Sequence, residues 1–73
     1  MPITFDDKHG GRVPVARQNE AMKVLKKAVS AKDLAKWPYC HISFGDGGSF
    51  TYRCFSSAQK KIGQQGPAGA GKI

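Results

Sequence analysis

Cys40, His41, Cys54 and His9 carry the side chains with the widest chemistry in this sequence. They supply the donor types of a zinc site, or of a thiol and imidazole paired for nucleophilic attack. Their spacing argues against both. Structural zinc usually takes paired ligands two to four residues apart, and Cys40 and His41 are adjacent. Adjacent side chains in a strand point to opposite faces, so His41 is badly placed to activate the Cys40 thiol. Both cysteines read instead as small apolar packing residues, reduced in a cytoplasm. The five acids (Asp6, Asp7, Glu20, Asp33 and Asp46) offer no pair argued to sit at general acid–base geometry. No catalytic residue, metal site or cofactor is expected, and the chain is read as a non-enzyme.

The last eight residues, Gly66-Pro67-Ala68-Gly69-Ala70-Gly71-Lys72-Ile73, match the first seven positions of a phosphate-binding P-loop. Ile73 stands where the motif needs Ser or Thr. A P-loop also needs a strand before it and a helix after it, because the helix N-terminus forms part of the anion site. Neither fits, so the match is assigned to composition.

Positive charge is the stronger lead. Twelve Lys and Arg against five Asp and Glu leave a net charge of +7, which favours acidic partners. Lys23, Lys26 and Lys27 share one helix face. Arg12 and Arg17 bracket the helix start, Arg53 lies on the outer strand face with Thr51 and Phe55, and Lys60 and Lys61 open the C-terminal stretch. A lysine-lined helix face is most often merely solvated. Here only Glu20, Asp33 and Asp46 fall between Lys8 and Lys61, which raises the functional reading. These eight cations are the expected partner-binding residues. A sheet that reads nucleic acid needs two or three exposed aromatics, and only Phe55 is placed outward. Base-specific recognition is therefore not expected, although phosphate contact through Lys and Arg is open.

These side chains need a scaffold, and 73 residues provide one small domain with a thin core. No 18-residue apolar run exists, so no membrane span is expected. The N-terminal residues lack the basic flank and apolar stretch of a secretion signal. Ile3 and Phe5 alternate with polar neighbours as in a strand over residues 1–6. Ala21, Val24, Leu25, Ala28 and Val29 form one helical stripe, with Asn19 as the expected N-cap. Ser30 to Asp33 has the layout of a capping box, which predicts a kink or restart there and a short helix through Leu34 to Trp37. Pro38 stops it.

Residues 39–55 read as a β-hairpin. Placing both apolar sets on one face requires an even index sum, which pairing Phe44 with Phe50, Ile42 with Tyr52 and Cys40 with Cys54 satisfies. Asp46-Gly47-Gly48 is then the tip. The register brings the two cysteines close enough to bridge under oxidising conditions. The expected fold class is α+β: a small antiparallel sheet, made of the N-terminal strand and the hairpin, on one kinked helix. Ile3, Phe5, Val24, Leu25, Ala28, Leu34, Ile42, Phe44, Phe50 and Tyr52 are the expected core. Residues 1–58 form the domain, and 59–73 a flexible, basic, Gly-rich tail.

The stretches PITFDD, ARQNEAMKVLKKAV and SSAQKKIGQQGPAGAGKI, with the overall size, charge and layout, resemble small phage-encoded inhibitors of host bacterial RNA polymerase. The resemblance implies a monomer in the host cytoplasm that docks on the polymerase, with nucleic acid nearby. It implies inhibition of promoter-dependent initiation by loosening the sigma factor, and passage of elongating polymerase through terminators. It assigns no individual binding residue. Two other readings stand beside it: a non-specific RNA- or DNA-binding protein, and a blocker of another host machine such as a nuclease complex.

Overall fold

Two sequence periods build the molecule, a two-residue alternation in the strands and a helical stripe between the first two of them. The computed structural model describes residues 3–56 and 66–73. Strand β1 (Ile3–Asp7) leads to helix α1 (Val15–Ala28) and a short helix α2 (Ala31–Lys36). Strands β2 (Tyr39–Phe44) and β3 (Ser49–Phe55) follow, joined by a single 3-10 turn over Asp46–Gly48, and β4 (Ala68–Lys72) completes a sheet of order β1-β2-β3-β4. The fold is a small α+β domain.

The hairpin has the expected register: Phe44 faces Phe50, Ile42 faces Tyr52, and Cys40 faces Cys54. Gly47 and Gly48 take positive φ angles of 67° and 78°, which the tip requires and glycine adopts without a Cβ clash. The cysteines are joined in a disulfide, not held as separate thiols. Their Cα atoms lie 4.0 Å apart. The Cys54 backbone explains the proximity. Its N–H donates to the Pro67 carbonyl and its C=O accepts from Gly66 N–H. Both groups therefore point away from β2, which leaves Cys40 and Cys54 as a non-hydrogen-bonded pair, the closer type of antiparallel pair.

Strand β1 corrects the expectation of a purely antiparallel sheet. It pairs with β2 in parallel, Ile3 beside Cys40 and Phe5 beside Ile42. The two helices make this possible, since they form a crossover long enough to return the chain to the same end of the sheet. The helix break falls where predicted: Val29 is extended (φ −120°, ψ 124°), and Ser30 caps α2 by accepting a hydrogen bond from Asp33 N–H at 3.2 Å. The start of α1 differs. It begins at Val15 after Pro14, whose fixed φ suits the boundary and whose carbonyl accepts from Gln18 N–H, so Asn19 is inside the helix and caps nothing.

Ala21, Leu25 and Val29 fill the helix–sheet interface, four residues apart, with Val13, Cys40, Ile42, Phe44, Phe50, Tyr52 and Cys54. Ala28, expected in the core, is exposed. Ile3, Phe5, Val24 and Leu34 pack partly buried around the centre. Phe55, expected outside, is buried.

The second correction concerns the expected tail. Ala68–Lys72 is an ordered edge strand, antiparallel to β3. Large side chains are absent from it because its neighbours supply them. Gly69 lies opposite Tyr52 and Gly71 opposite Phe50. A Cβ on Gly71 would come within 2.6 Å of the Phe50 ring and 2.9 Å of a Val24 methyl. Aromatic rings on β3 thus cover glycines on β4, and α1 reaches down onto the same strand. Residues 59–65 of the expected tail, with Lys60 and Lys61, lie outside the described residues.

Candidate functional site

Alternation in the strands divides the polar residues between two surfaces. Apolar side chains of the sheet turn toward α1 and α2. Thr4 and Asp6 of β1, His41 and Ser43 of β2, and Thr51 and Arg53 of β3 turn the other way, aligned by register: Thr4, His41 and Arg53 in one row, Asp6, Ser43 and Thr51 in the next. His41 and Asp6 side chains are 44% and 53% exposed, so this face is open to solvent.

His41 bridges the first two strands. Its Nε2 lies 2.8 Å from Asp6 Oδ2 and its Nδ1 lies 2.6 Å from Thr4 Oγ1. Ser43 Oγ donates to the other Asp6 oxygen. A neutral imidazole that donates from Nε2 leaves Nδ1 to accept the Thr4 hydroxyl proton. Asp6 is held below the ordinary carboxylate range, first by the Ser43 hydrogen bond and then by the one from His41. Hydroxyl, imidazole and carboxylate are thus in line on a face open to solvent, where the array ties β1 to β2. Strand alternation alone turns His41 away from Cys40 and gives it no partner. Its partners come from β1, and only the parallel register places them.

A second polar cluster closes the hairpin tip. Lys8 Nζ lies 2.7 Å from Asp46 Oδ2, and His9 Nε2 lies 3.3 Å from Asp46 Oδ1. Asp46 too is lowered, by Lys8 first and His9 second. A mainly apolar depression of about 340 Å³ runs beside it, lined by Phe44, Phe50, Ala70 and Gly71 together with Lys8 and Ser43.

The predicted cations do not form one patch. Lys23, Lys26 and Lys27 are exposed on α1 and Arg12 is exposed in the loop before it. Arg17 leans inward, its guanidinium carbon 5.9 Å from the centre of the Phe44 ring. Arg53 stands on the opposite surface, beside His41 in register. The structure adds Lys32 and Lys36 of α2 to the helical set, with Lys36 5.5 Å from the Trp37 ring. The helix restart at Ser30 leaves both exposed.

Charge is therefore segregated. Residues 12–36 hold seven cations, Arg12, Arg17, Lys23, Lys26, Lys27, Lys32 and Lys36, against Glu20 and Asp33. Within that layer one ion pair forms, Lys23 with Glu20 at 3.9 Å. The other acids lie on β1 and the hairpin tip, where Asp6 and Asp46 already have partners. Phe55 is buried, and the outer face offers only a half-buried Tyr39 as an aromatic among the described residues, which leaves no stacking platform. Among the described residues no helix is long and apolar enough to cross a membrane. The chain matches no known protein family, no curated protein and no solved structure.

Proposed function

We propose that this chain is a non-catalytic docking protein whose basic helical layer binds an acidic macromolecular surface, and that its partner is bacterial RNA polymerase. The surplus of five positive charges over residues 12–36 carries the proposal. Cations displayed together on two exposed helices speed encounter with an acidic surface and fix its orientation. The choice of polymerase follows the resemblance in size, charge and layout. On this reading the bound protein opposes promoter-dependent initiation and suppresses termination. The lack of an aromatic platform favours a protein surface over single-stranded nucleic acid as the main contact.

The test is binding of the full chain to purified bacterial RNA polymerase holoenzyme over a salt series, beside the triple variant K23E/K26E/K27E. Saturable wild-type binding that weakens with salt and is lost in the folded variant supports the proposal. Binding to single-stranded RNA alone, lost in the same variant, would transfer the function to nucleic acid.

A further inference from the structure

We propose that the outer edge of β4 docks an extended acidic segment of a partner protein, which joins the sheet as a fifth strand. This rests on the reading above that the partner is acidic, and it says where and in what conformation the acid is held. β4 is an end strand. Pro67 and Gly66 bond to Cys54, and Ile73 N–H donates to the Gly48 carbonyl at 3.0 Å. With Gly69 facing Tyr52 and Gly71 facing Phe50, the alternation turns the N–H and C=O groups of Ala68, Ala70 and Lys72 outward. All three residues are exposed, and among the described residues no element pairs with them.

Natural sheets blunt such edges with charge, proline or a cover. The opposite edge, β1, carries Asp6 and Asp7. From Ala68 to Gly71 β4 has no charge and no side chain larger than a methyl group, so the strand's own side chains do not obstruct another backbone. Its flank is cationic. α1 meets β4 at Val24 and Gly71. Lys27, three residues after Val24, shares that flank of the helix, where Glu20 lies 3.9 Å from Lys23, and Lys72 closes the strand. Backbone bonds along the edge give affinity, and Glu or Asp side chains on the added strand meet these cations. A second copy fits less well, since pairing β4 with itself brings two chains of charge +7 together.

The probe is a capped eight-residue peptide of alternating Glu and Val, titrated into the full chain with NMR detection of backbone amides. Shifts and slowed exchange centred on Ala68, Ala70 and Lys72 are expected. A70P deletes an outward N–H without removing a ladder bond, and should weaken binding about tenfold, while A70V retains it. An N-methylated form of the peptide repeats the test on the unaltered protein, and should bind about tenfold more weakly. A Lys–Val peptide should not bind. Equal binding by A70P and by the N-methylated peptide, a footprint elsewhere, or a β4-mediated dimer that ignores the acidic peptide would overturn the proposal. If polymerase binding survives A70P but not K23E/K26E/K27E, the edge is wrong and the docking function stands. If the peptide binds the edge while polymerase is ignored, the edge stands and the partner is wrong.

Discussion

Gly71 lies directly beneath Phe50: an added Cβ would sit 2.6 Å from the ring's Cζ. The pair joins the last strand to the buried centre, because Phe50 also meets Phe44 with ring centres 5.5 Å apart. G71A forces Phe50 or Val24 to move and should destabilise the protein by about 1–3 kcal/mol, as overpacking does. A70V, whose side chain turns outward, should stay within about 0.5 kcal/mol of wild type. Urea unfolding of both variants checks this. Equal midpoints for the two would contradict the placement of β4.

The Cys40–Cys54 disulfide spans a sequence separation of 14 residues. Closing a loop of that size restricts the unfolded chain and contributes about 2–4 kcal/mol. Full reduction should lower the urea midpoint accordingly, with peptide mapping showing the 40–54 linkage before reduction. Identical unfolding with and without reductant would show that the bridge adds no stability.

Ser30 holds the first turn of α2 through its hydrogen bond with Asp33 N–H. S30A should cost about 1 kcal/mol, the usual loss for an N-cap. Unfolding in urea measures it, and S30G should cost less, since glycine caps without a side-chain acceptor.

Asp6 makes a pH-dependent contribution. Its folded pKa lies below the ordinary 3.8, held down by Ser43 and then His41. The unfolded state therefore binds the proton more readily, and stability rises with pH through this region. The contribution is complete above the unfolded pKa and is lost as pH falls through the folded one. D6N should be less stable than wild type at neutral pH, by under about 1 kcal/mol because the cluster is exposed, and the gap should close in acid. Unfolding midpoints over an acid pH series test it, and a gap that widens on acidification would reverse the sign.

The hairpin is legible to the residue, since an even index sum puts Ile42, Phe44, Phe50 and Tyr52 together on one face and the Asp46-Gly47-Gly48 tip selects the register. The Ser30 break was legible for a similar reason: an unbroken helix would have buried Lys32. Two features were hidden for physical reasons. The direction of β1 depends on the crossover path, which the alternation of Ile3 and Phe5 does not encode, so the Asp6–His41 contact was hidden with it. β4 was read as tail because Ala and Gly bring little apolar area. Its two-residue small-side-chain alternation fits a strand only once Phe50 and Tyr52 are available to cover it. Of the candidate site, the cations of α1 are visible in the sequence, while the place of Arg53 on the opposite surface and the exposure of Lys32 and Lys36 on α2 require the three-dimensional arrangement.

The central claim is docking of the basic helical layer on bacterial RNA polymerase. Its most direct measurement is equilibrium binding of the wild-type chain and of K23E/K26E/K27E to purified holoenzyme, with circular dichroism confirming that both are folded. Saturable wild-type binding that falls with salt and disappears in the variant is the predicted result. Undiminished binding by the variant, or no wild-type binding in low salt, would contradict it.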